Sequence, residues 1–222
     1  MLVLGVVLGI AGACGFTLIA AEIRGRQEAR RVARGGVKFL SLRAPMRSIL
    51  VTGLHATDHH DIAAATLATT LAATGTRVVL VDADLRSGQI HERFGLPRGD
   101  GLATVLLGDM ALADALRAVE VPGGALRLLT AGPKPSNPAD LVASEALGTL
   151  FAELAAAADY VVVSSPPLLP HSDALTLARH ADAVVMVATV RRARRREREA
   201  GHAKLAQIGA APELTRFFAG AA

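Results

Sequence analysis

The sequence predicts an α/β protein whose doubly wound, mostly parallel sheet is preceded by one N-terminal transmembrane helix. Short apolar runs rich in β-branched residues, such as 48–52, 77–81 and 160–163, are typical of strands buried on both faces. Ala/Leu-rich stretches that favour helix lie between these runs, and Gly75 stands where the first of them would end. Strands and helices that alternate in this way form parallel sheets with right-handed crossovers.

The N-terminal segment, Met1 to Ala21, predicts the transmembrane helix because it carries no charged residue and is long enough to span a bilayer core of ~30 Å. From Glu22 to Arg47 there are eight Lys or Arg against two Glu. The positive-inside rule then predicts a single-pass protein of the inner (plasma) membrane, with its N-terminus outside and the rest in the cytoplasm. A cleaved signal peptide is the rival interpretation, and it fits less well because no basic region precedes the apolar core.

The rest of the chain divides into a basic juxtamembrane helix and linker, 22–46, and one domain, 47–222. The domain's hydrophobic pattern predicts five strands, at 48–52, 77–81, 126–130, 160–163 and 183–187. It predicts helices at 62–73, 91–94, 102–107, 111–119, 139–157, 172–179 and 191–208. The chain ends around 217–220 with no clear final strand.

Composition narrows the classes of partner. The net charge of +4 comes largely from two arginine-rich stretches, which indicates contact with a membrane surface or a protein partner. One Tyr and no Trp leave no aromatic platform on which bases could stack, so we expect no nucleic-acid partner. A single Cys excludes a disulfide framework and suits a cytoplasmic domain.

The stretch 47–86 has the layout of a nucleotide-binding unit, with a strand, a loop, a helix and a second strand that ends in acids. In a parallel sheet the ligand site lies at the carboxyl ends of the strands, here the loop 53–60 and the acids Asp82 and Asp84. A Walker A loop needs glycines that curl around phosphate, a Lys for the β- and γ-phosphates and a Ser or Thr for magnesium.

The loop 53–60 lacks these groups. Its only glycine is Gly53, while His60 stands in the Lys place and Asp61 in the Ser/Thr place. We expect Asp58 and Asp61 to sit at the helix N-terminus, where carboxylates satisfy the helix dipole and repel a phosphate that the bare helix end would attract. The loop is therefore predicted to be capped and closed to triphosphate.

Several motifs carry a family resemblance. They are E-x-x-R-x-x-R at 28–34, VLVDADLR at 79–86, FGLP at 94–97, PSNPADL at 135–141 and DYVVVSSPP at 159–167. On these motifs the chain resembles the cytoplasmic domain of bacterial tyrosine kinases (BY-kinases), with the adjoining membrane helix of a polysaccharide co-polymerase. These kinases belong to the MinD/ParA-like P-loop ATPases, so the resemblance implies a P-loop NTPase-like fold.

The resemblance also implies roles for individual residues. Asp82 and Asp84 match the Walker A′ acids that handle the metal and the attacking hydroxyl, and Arg86 completes this candidate cofactor-binding set. The alternative for the two acids is a turn-and-cap role at the strand end, with Arg86 as their ion-pair partner. The family's oligomerisation helix falls on Glu28, Arg31 and Arg34, whose rival interpretation is a basic helix on anionic lipid.

The departures from the family remove nucleotide chemistry. The P-loop glycines, Lys and Ser/Thr of the family fall on His55, Thr57, His59, His60, Asp61 and Ile62. The Walker B Asp falls on Ser164, which cannot replace a negative charge on a hard cation, and the C-terminal tyrosine cluster is absent. Because phosphoryl transfer depends on positioning and charge, we expect no catalysis and neither ATP nor Mg²⁺ as a cofactor.

The histidines of the loop and the second arginine-rich stretch have modest interpretations. His55, His59 and His60 with two Asp could make a metal site, but their spacing fits no zinc pattern, and a solvated loop without metal is expected. Arg191 to Arg198 holds six arginines and is expected to be a solvated helix start that faces lipid headgroups or an acidic partner.

These observations predict a membrane-anchored pseudokinase, a structural or regulatory component of exopolysaccharide or capsule synthesis and export. Its expected partners are inner-membrane lipid and a homo- or hetero-oligomer with a polysaccharide co-polymerase or an active BY-kinase. Two alternatives stay open. One is an active but divergent ATP-dependent tyrosine kinase or ATPase that uses Asp82 and Asp84, and the other is a MinD-like membrane positioning factor.

Overall fold

The computed structural model describes residues 6–12, 15–21, 47–121, 124–188, 195–208 and 216–219. The strands are β1 (Val6–Gly12), β2 (Gly15–Ala21), β3 (Ser48–Gly53), β4 (Val78–Asp82), β5 (Arg117–Val121), β6 (Gly124–Leu129), β7 (Tyr160–Ser164), β8 (Ala183–Ala188) and β9 (Arg216–Ala219). The helices are α1 (His60–Ala72), α2 (Ile90–Arg93), α3 (Leu102–Leu106), α4 (Leu112–Ala115), α5 (Pro138–Val142), α6 (Glu145–Ala157), α7 (Asp173–Ala178) and α8 (Arg195–Gln207).

Strands β3 to β9 form one sheet of seven strands in the order β5-β6-β4-β7-β3-β8-β9. All neighbours in this sheet are parallel except β5 and β6, which form an antiparallel pair at one edge. The central strands β3, β4 and β7 are therefore flanked on both sides by other strands. The predicted α/β fold with a mostly parallel sheet is confirmed.

The central strands are mostly apolar because both faces of the sheet are covered. Leu50, Val79 and Val163 point into a core shared with α3, α6 and α7, whereas Val51 and Leu80 point into the opposite core beneath α1. Side chains alternate between the two faces along a strand, so the last residue of each strand faces the same side as the residue two positions before it. Gly53, Asp82 and Ser164 consequently end three neighbouring strands on the face that α1 covers.

The N-terminal segment differs from the prediction. Strands β1 and β2 pair antiparallel, with Val6 opposite Ala21 and Gly12 opposite Gly15, so the structure does not confirm the transmembrane helix at Met1 to Ala21. Glycines and β-branched residues recur through this segment, and both disfavour helix. The prediction of a helix depended on the absence of charged residues and did not take these propensities into account. Among the described residues, no helix combines the length and apolar character that crossing a bilayer requires.

Three predictions within the domain are corrected. The helix expected at 111–119 ends at Ala115, because residues 117–121 instead pair with β6 as an edge strand. The helix expected at 139–157 is two helices, α5 and α6, separated by Ala143 and Ser144. The chain does have a final strand, β9, which pairs in parallel with β8 and is too short for periodicity to reveal. The juxtamembrane helix at 22–46 lies outside the described residues.

Candidate functional site

The candidate site lies at the carboxyl edge of the sheet, where β3, β4 and β7 end side by side. Asp82 is opposite Ser164 in the β4–β7 ladder, and Ser164 is opposite Val51 in the β3–β7 ladder. The loop that follows Gly53 passes over this edge and leads into α1. This is the edge at which open α/β sheets bind ligands, so the structure brings the predicted acids and the degenerate loop together.

The loop is closed by one of its own carboxylates. Residues 56–58 form a single 3-10 turn, and the backbone N–H of His55 donates to Oδ2 of Asp58 over 2.8 Å. Asp58 is buried, with 4% of its surface exposed. Asp58 was expected to cap α1, but it caps the 3-10 turn instead. A carboxylate thus takes a loop N–H that a phosphate could otherwise use.

The residue that precedes α1 has an unusual backbone. His59 has φ 53° and ψ 41° and is the one non-glycine residue of the described chain in the left-handed region. That region is costly for a residue with a Cβ and easy for glycine. The family resemblance places a P-loop glycine at this position. The loop therefore keeps a glycine conformation after losing the glycine.

His60, in the place of the P-loop Lys, is buried under the loop. Its Nδ1 would lie 3.1 Å from a Cβ at Gly53, so the ring covers the end of β3. Within the described part of the chain, Nδ1 has no hydrogen-bond partner. Burial lowers the pKa of His60, outweighing the nearby carboxylates, Asp61 foremost, that raise it. The imidazole is therefore neutral at neutral pH and cannot supply the positive charge of a Lys.

Asp82 is held by backbone groups. Its Oδ2 accepts the N–H of Ile90 over 3.0 Å, and its Oδ1 accepts the N–H of Asp84 over 3.3 Å. Burial raises the pKa of Asp82 to about 7, and the charge of Asp84 adds to this rise, while the N–H of Ile90 opposes it. Gly88 packs against the carboxylate so closely that a Cβ there would lie 2.7 Å from Oδ2. The carboxylate is enclosed by protein on that side.

Asp84 and Arg86 organise the turn after β4. Oδ1 of Asp84 accepts the N–H groups of Arg86 and Ser87 over 3.0 and 2.9 Å, which supports the turn-and-cap role. The guanidinium of Arg86 donates from Nε to Oδ2 of Asp173 over 2.8 Å and from Nη2 to Oδ1 over 3.2 Å. The alternative in which Arg86 is the ion-pair partner of Asp82 and Asp84 is therefore corrected, because its guanidinium pairs with Asp173.

Asp173 is a site residue that the sequence analysis missed. It is 3% exposed and lies in the first turn of α7, where its charge also suits the helix dipole. The bidentate pair with Arg86 ties the end of β4 to α7 beside the candidate site. The local sequence marks Asp173 only as an acid at the start of a predicted helix, and nothing local indicates its distant partner.

Ser164 is the residue on which the family resemblance places the Walker B Asp. The side chain is 1% exposed, and its Oγ finds no hydrogen-bond partner in the described chain. The next residue, Ser165, is equally buried, but its Oγ donates to the carbonyl of Pro166 over 3.0 Å. A buried hydroxyl without a partner is unfavourable, so the position is not optimised for stability.

The remaining candidates lie at the rim. Thr57 and His59 are exposed, and Asp61 forms an ion pair with Arg93 in which Nε and Oδ2 are 3.2 Å apart. His55 faces Glu197 of α8, with Nε2 and Oε2 3.7 Å apart. The described residues contain no group of three or more His, Cys, Asp or Glu placed to hold a metal ion. The oligomerisation candidates Glu28, Arg31 and Arg34 lie outside the described residues.

Comparison with known proteins shows the family to which the chain belongs. No protein-family model matches it. It is 36% identical over 160 residues to tyrosine-protein kinase YwqD of Bacillus subtilis (strain 168), a match that covers 72% of this chain and 67% of that protein. The chain belongs to the bacterial tyrosine-kinase family. It is also 32% identical over 161 residues to tyrosine-protein kinase wzc of Salmonella typhimurium, covering 72% of this chain and 22% of that protein.

Solved structures agree with this BY-kinase assignment. The kinase domain of Escherichia coli tyrosine kinase ETK superposes with a TM-score of 0.79 at 26% identity, covering 86% of this chain and 74% of that one. The chimerical protein CapA2B2 gives 0.77 at 27% identity, covering 86% and 83%. Cobyrinic acid a,c-diamide synthase from Mycobacterium smegmatis gives 0.63 at 20% identity, which shows the shared fold alone. The resemblance inferred from the motifs is confirmed.

Proposed function

We propose that this BY-kinase-family domain is a pseudokinase, which serves as a structural or regulatory component of exopolysaccharide or capsule synthesis and export. The observation that carries the proposal is the self-closed loop after β3. Its N–H at His55 is taken by the carboxylate of Asp58, and its interior is occupied by the His60 ring. The tyrosine-kinase names of the relatives support the family setting, and the pathway itself is part of the proposal.

Charge supports the proposal further. Phosphoryl transfer needs cations that stabilise the negative charge of the transferred group. The described site offers the neutral His60 where the family has Lys, and it adds the acids Asp58 and Asp61 at the mouth of the loop. Ser164 lacks the carboxylate that would organise a magnesium ion. The two acids repel a triphosphate, and the uncharged His60 and Ser164 supply no charge that would hold the nucleotide or its magnesium ion.

An active, divergent kinase is the alternative that a specific observation favours. Asp82 and Asp84 lie at the carboxyl edge, as the Walker A′ acids of the resemblance require, and a partner could supply the missing cations. Against it, both oxygens of Asp82 already accept backbone N–H groups, and Oδ1 of Asp84 accepts two more. The acids are therefore engaged in the fold itself.

Calorimetric titration of the full 222-residue chain with Mg-ATP tests the proposal. A variant that restores the loop with Thr57→Gly, Asp58→Gly, His59→Gly, His60→Lys and Asp61→Ser, together with Ser164→Asp, is the revertant that runs beside it. We expect no heat of binding from the native chain at millimolar nucleotide and binding by the revertant. Micromolar binding by the native chain would overturn the proposal, and the chain would then be assayed for ATPase and kinase activity.

Partners and location complete the proposal. We propose assembly with copies of the chain, an active BY-kinase or a co-polymerase through Glu28, Arg31 and Arg34. Sedimentation of the native chain and of an Arg31→Glu, Arg34→Glu variant tests this, since an unchanged mass would contradict it.

The proposed location is the inner membrane, with the domain in the cytoplasm. It rests on the uncharged 1–21 segment and its basic flank, and release of the chain by alkaline carbonate would contradict it.

A further inference from the structure

Helix α8 lies directly on the site loop. A Cβ at its residue Gly201 would lie 2.6 Å from Cδ2 of Leu54 and 3.0 Å from Sδ of Met186, so these side chains would have to shift to admit it. Leu54 is the first residue after β3 and is fully buried. The helix backbone therefore packs closely against the Leu54 side chain at the start of the loop, and glycine at 201 permits this approach without any shift.

A second contact joins α8 to both loops of the carboxyl edge. Nζ of Lys204 lies 3.4 and 3.3 Å from the carbonyl oxygens of Leu168 and Leu169, to which it donates. The N–H groups of the same two residues donate to the carbonyls of Gly53 and Leu54 over 2.8 and 3.2 Å. Lys204 thus holds the loop after β7, which in turn holds the start of the loop after β3.

A third contact reaches the far side of the loop. Glu197 in the first turn of α8 faces His55, and both side chains are about one-third exposed, at 34% and 36%. Residues 197, 201 and 204 are spaced by four and three, so they lie on one face of the helix. One helix face therefore contacts the site loop through residues 197 and 201 and its supporting loop through residue 204.

We propose that α8 is a latch that holds the loop 54–60 in its closed form. This inference rests on the proposed function and concerns the regulation of the same site. Closure of the degenerate nucleotide site then depends on a tertiary contact that can be released, in addition to the carboxylate of Asp58 within the loop. A protein whose latch is released should expose the loop while the sheet beneath it stays folded.

Hydrogen exchange of the full chain, followed by mass spectrometry, tests the latch with a matched pair of glycine substitutions. Gly201→Ala places a Cβ against Leu54, whereas Gly148→Ala in α6 places one 3.6 Å from Cε1 of His180, an ordinary contact. We expect Gly201→Ala to speed exchange in 54–60 by about tenfold relative to β4. This corresponds to an increase of about tenfold in the equilibrium constant for local opening of the loop. We expect Gly148→Ala to leave that ratio unchanged.

A second variant keeps the test decisive if Gly201→Ala does not fold. Glu197→Ala combined with Lys204→Ala removes the two polar contacts without adding any bulk, and it should speed exchange in 54–60 in the same direction. Unchanged exchange in that segment, or an equal rise in β4, would overturn the latch. Failure of the proposed function is seen separately, as Mg-ATP binding by the native chain, which leaves the exchange comparison intact.

Discussion

The acids at the amino edge and at the carboxyl edge of the sheet lie in different environments. At the amino edge, Asp182 accepts the N–H groups of Arg47 and Ser48, both over 2.8 Å, and the Ser48 hydroxyl over 2.9 Å. Asp159 accepts the N–H of Arg77 over 2.9 Å and pairs with its guanidinium. The side-chain hydrogen bond from Arg77 is the main reason that the pKa of Asp159 is lowered. Both carboxylates fasten neighbouring strands.

The carboxyl edge has the reverse character. Burial raises the pKa of Asp82 to about 7, and the polar atoms His60 Nδ1 and Ser164 Oγ have no partner among the described residues. Burying each such group lowers the free energy of unfolding, whereas burying an apolar residue at the same position would not. The comparison teaches that the amino edge is arranged for stability, whereas the carboxyl edge retains the polar pattern of a site at the expense of stability.

The largest expected effect concerns Asp82. Its pKa rises from about 4 in the unfolded chain to about 7 in the folded one, so between these pH values the folded protein binds more protons. The free energy of unfolding should therefore fall by up to about 4 kcal/mol as pH rises through this window. Asp82→Asn should remove this fall. Urea denaturation of both proteins at about pH 4.5 and about pH 7.5 measures it.

A native chain as stable at the higher pH as at the lower one, after subtraction of the Asp82→Asn result, would contradict this expectation. The subtraction is needed because His60 acts in the opposite direction. Its lowered pKa makes the folded state bind fewer protons near the unfolded value of 6.5, so that contribution is lost as pH falls.

The next effect lies at the amino edge. Asp182→Ala removes the acceptor of two backbone N–H groups and one hydroxyl at the start of β3. We expect a loss of about 2 kcal/mol in the free energy of unfolding, because hydrogen bonds to a charged acceptor are lost without replacement. Denaturation at neutral pH measures it. Asp140→Ala, at an exposed acid of α5, is the control. Equal stability of the two variants would contradict the expectation that the acids of the amino edge stabilise the fold.

Two adjacent serines sharpen the contrast at the level of one hydroxyl. Ser165→Ala deletes a buried hydroxyl that donates to the carbonyl of Pro166, and it should lower stability by about 1 kcal/mol. Ser164→Ala deletes an equally buried hydroxyl without a partner, and it should leave stability unchanged or raise it slightly. Thermal unfolding of both variants measures the difference. A larger loss at Ser164 than at Ser165 would show that Ser164 Oγ has a stabilising partner.

The smallest effect concerns the left-handed residue of the site loop. His59→Gly removes the clash of a Cβ at φ 53° and should stabilise the protein by about 0.5–1 kcal/mol, after the added freedom of the unfolded chain is subtracted. Ala56→Gly, in the 3-10 turn of the same loop, is the control and should destabilise it. Denaturant midpoints measure both. A loss of stability in His59→Gly would contradict the strain.

Much of the site could be predicted from the sequence because its signals are local. Apolar runs of five residues, the acids that follow 77–81 and the missing Lys at His60 are each contained within a few positions. They indicated the fold, the edge of the sheet and the family, and these are confirmed by the topology and the relatives. The prediction that the loop has no phosphate-binding character was also a statement about residue types alone, and it stays a prediction until nucleotide binding is measured.

Only the tertiary structure decided how these residues are used. Arg86 pairs with Asp173, 87 positions away, and α8 reaches the loop at Leu54 from beyond residue 195. Asp58 closes a 3-10 turn, β9 pairs with the edge of β8, and residues 6–12 pair antiparallel with residues 15–21. Periodicity and propensity report the neighbours within a turn or a strand, whereas these outcomes depend on which distant backbone and side-chain groups the fold brings into contact.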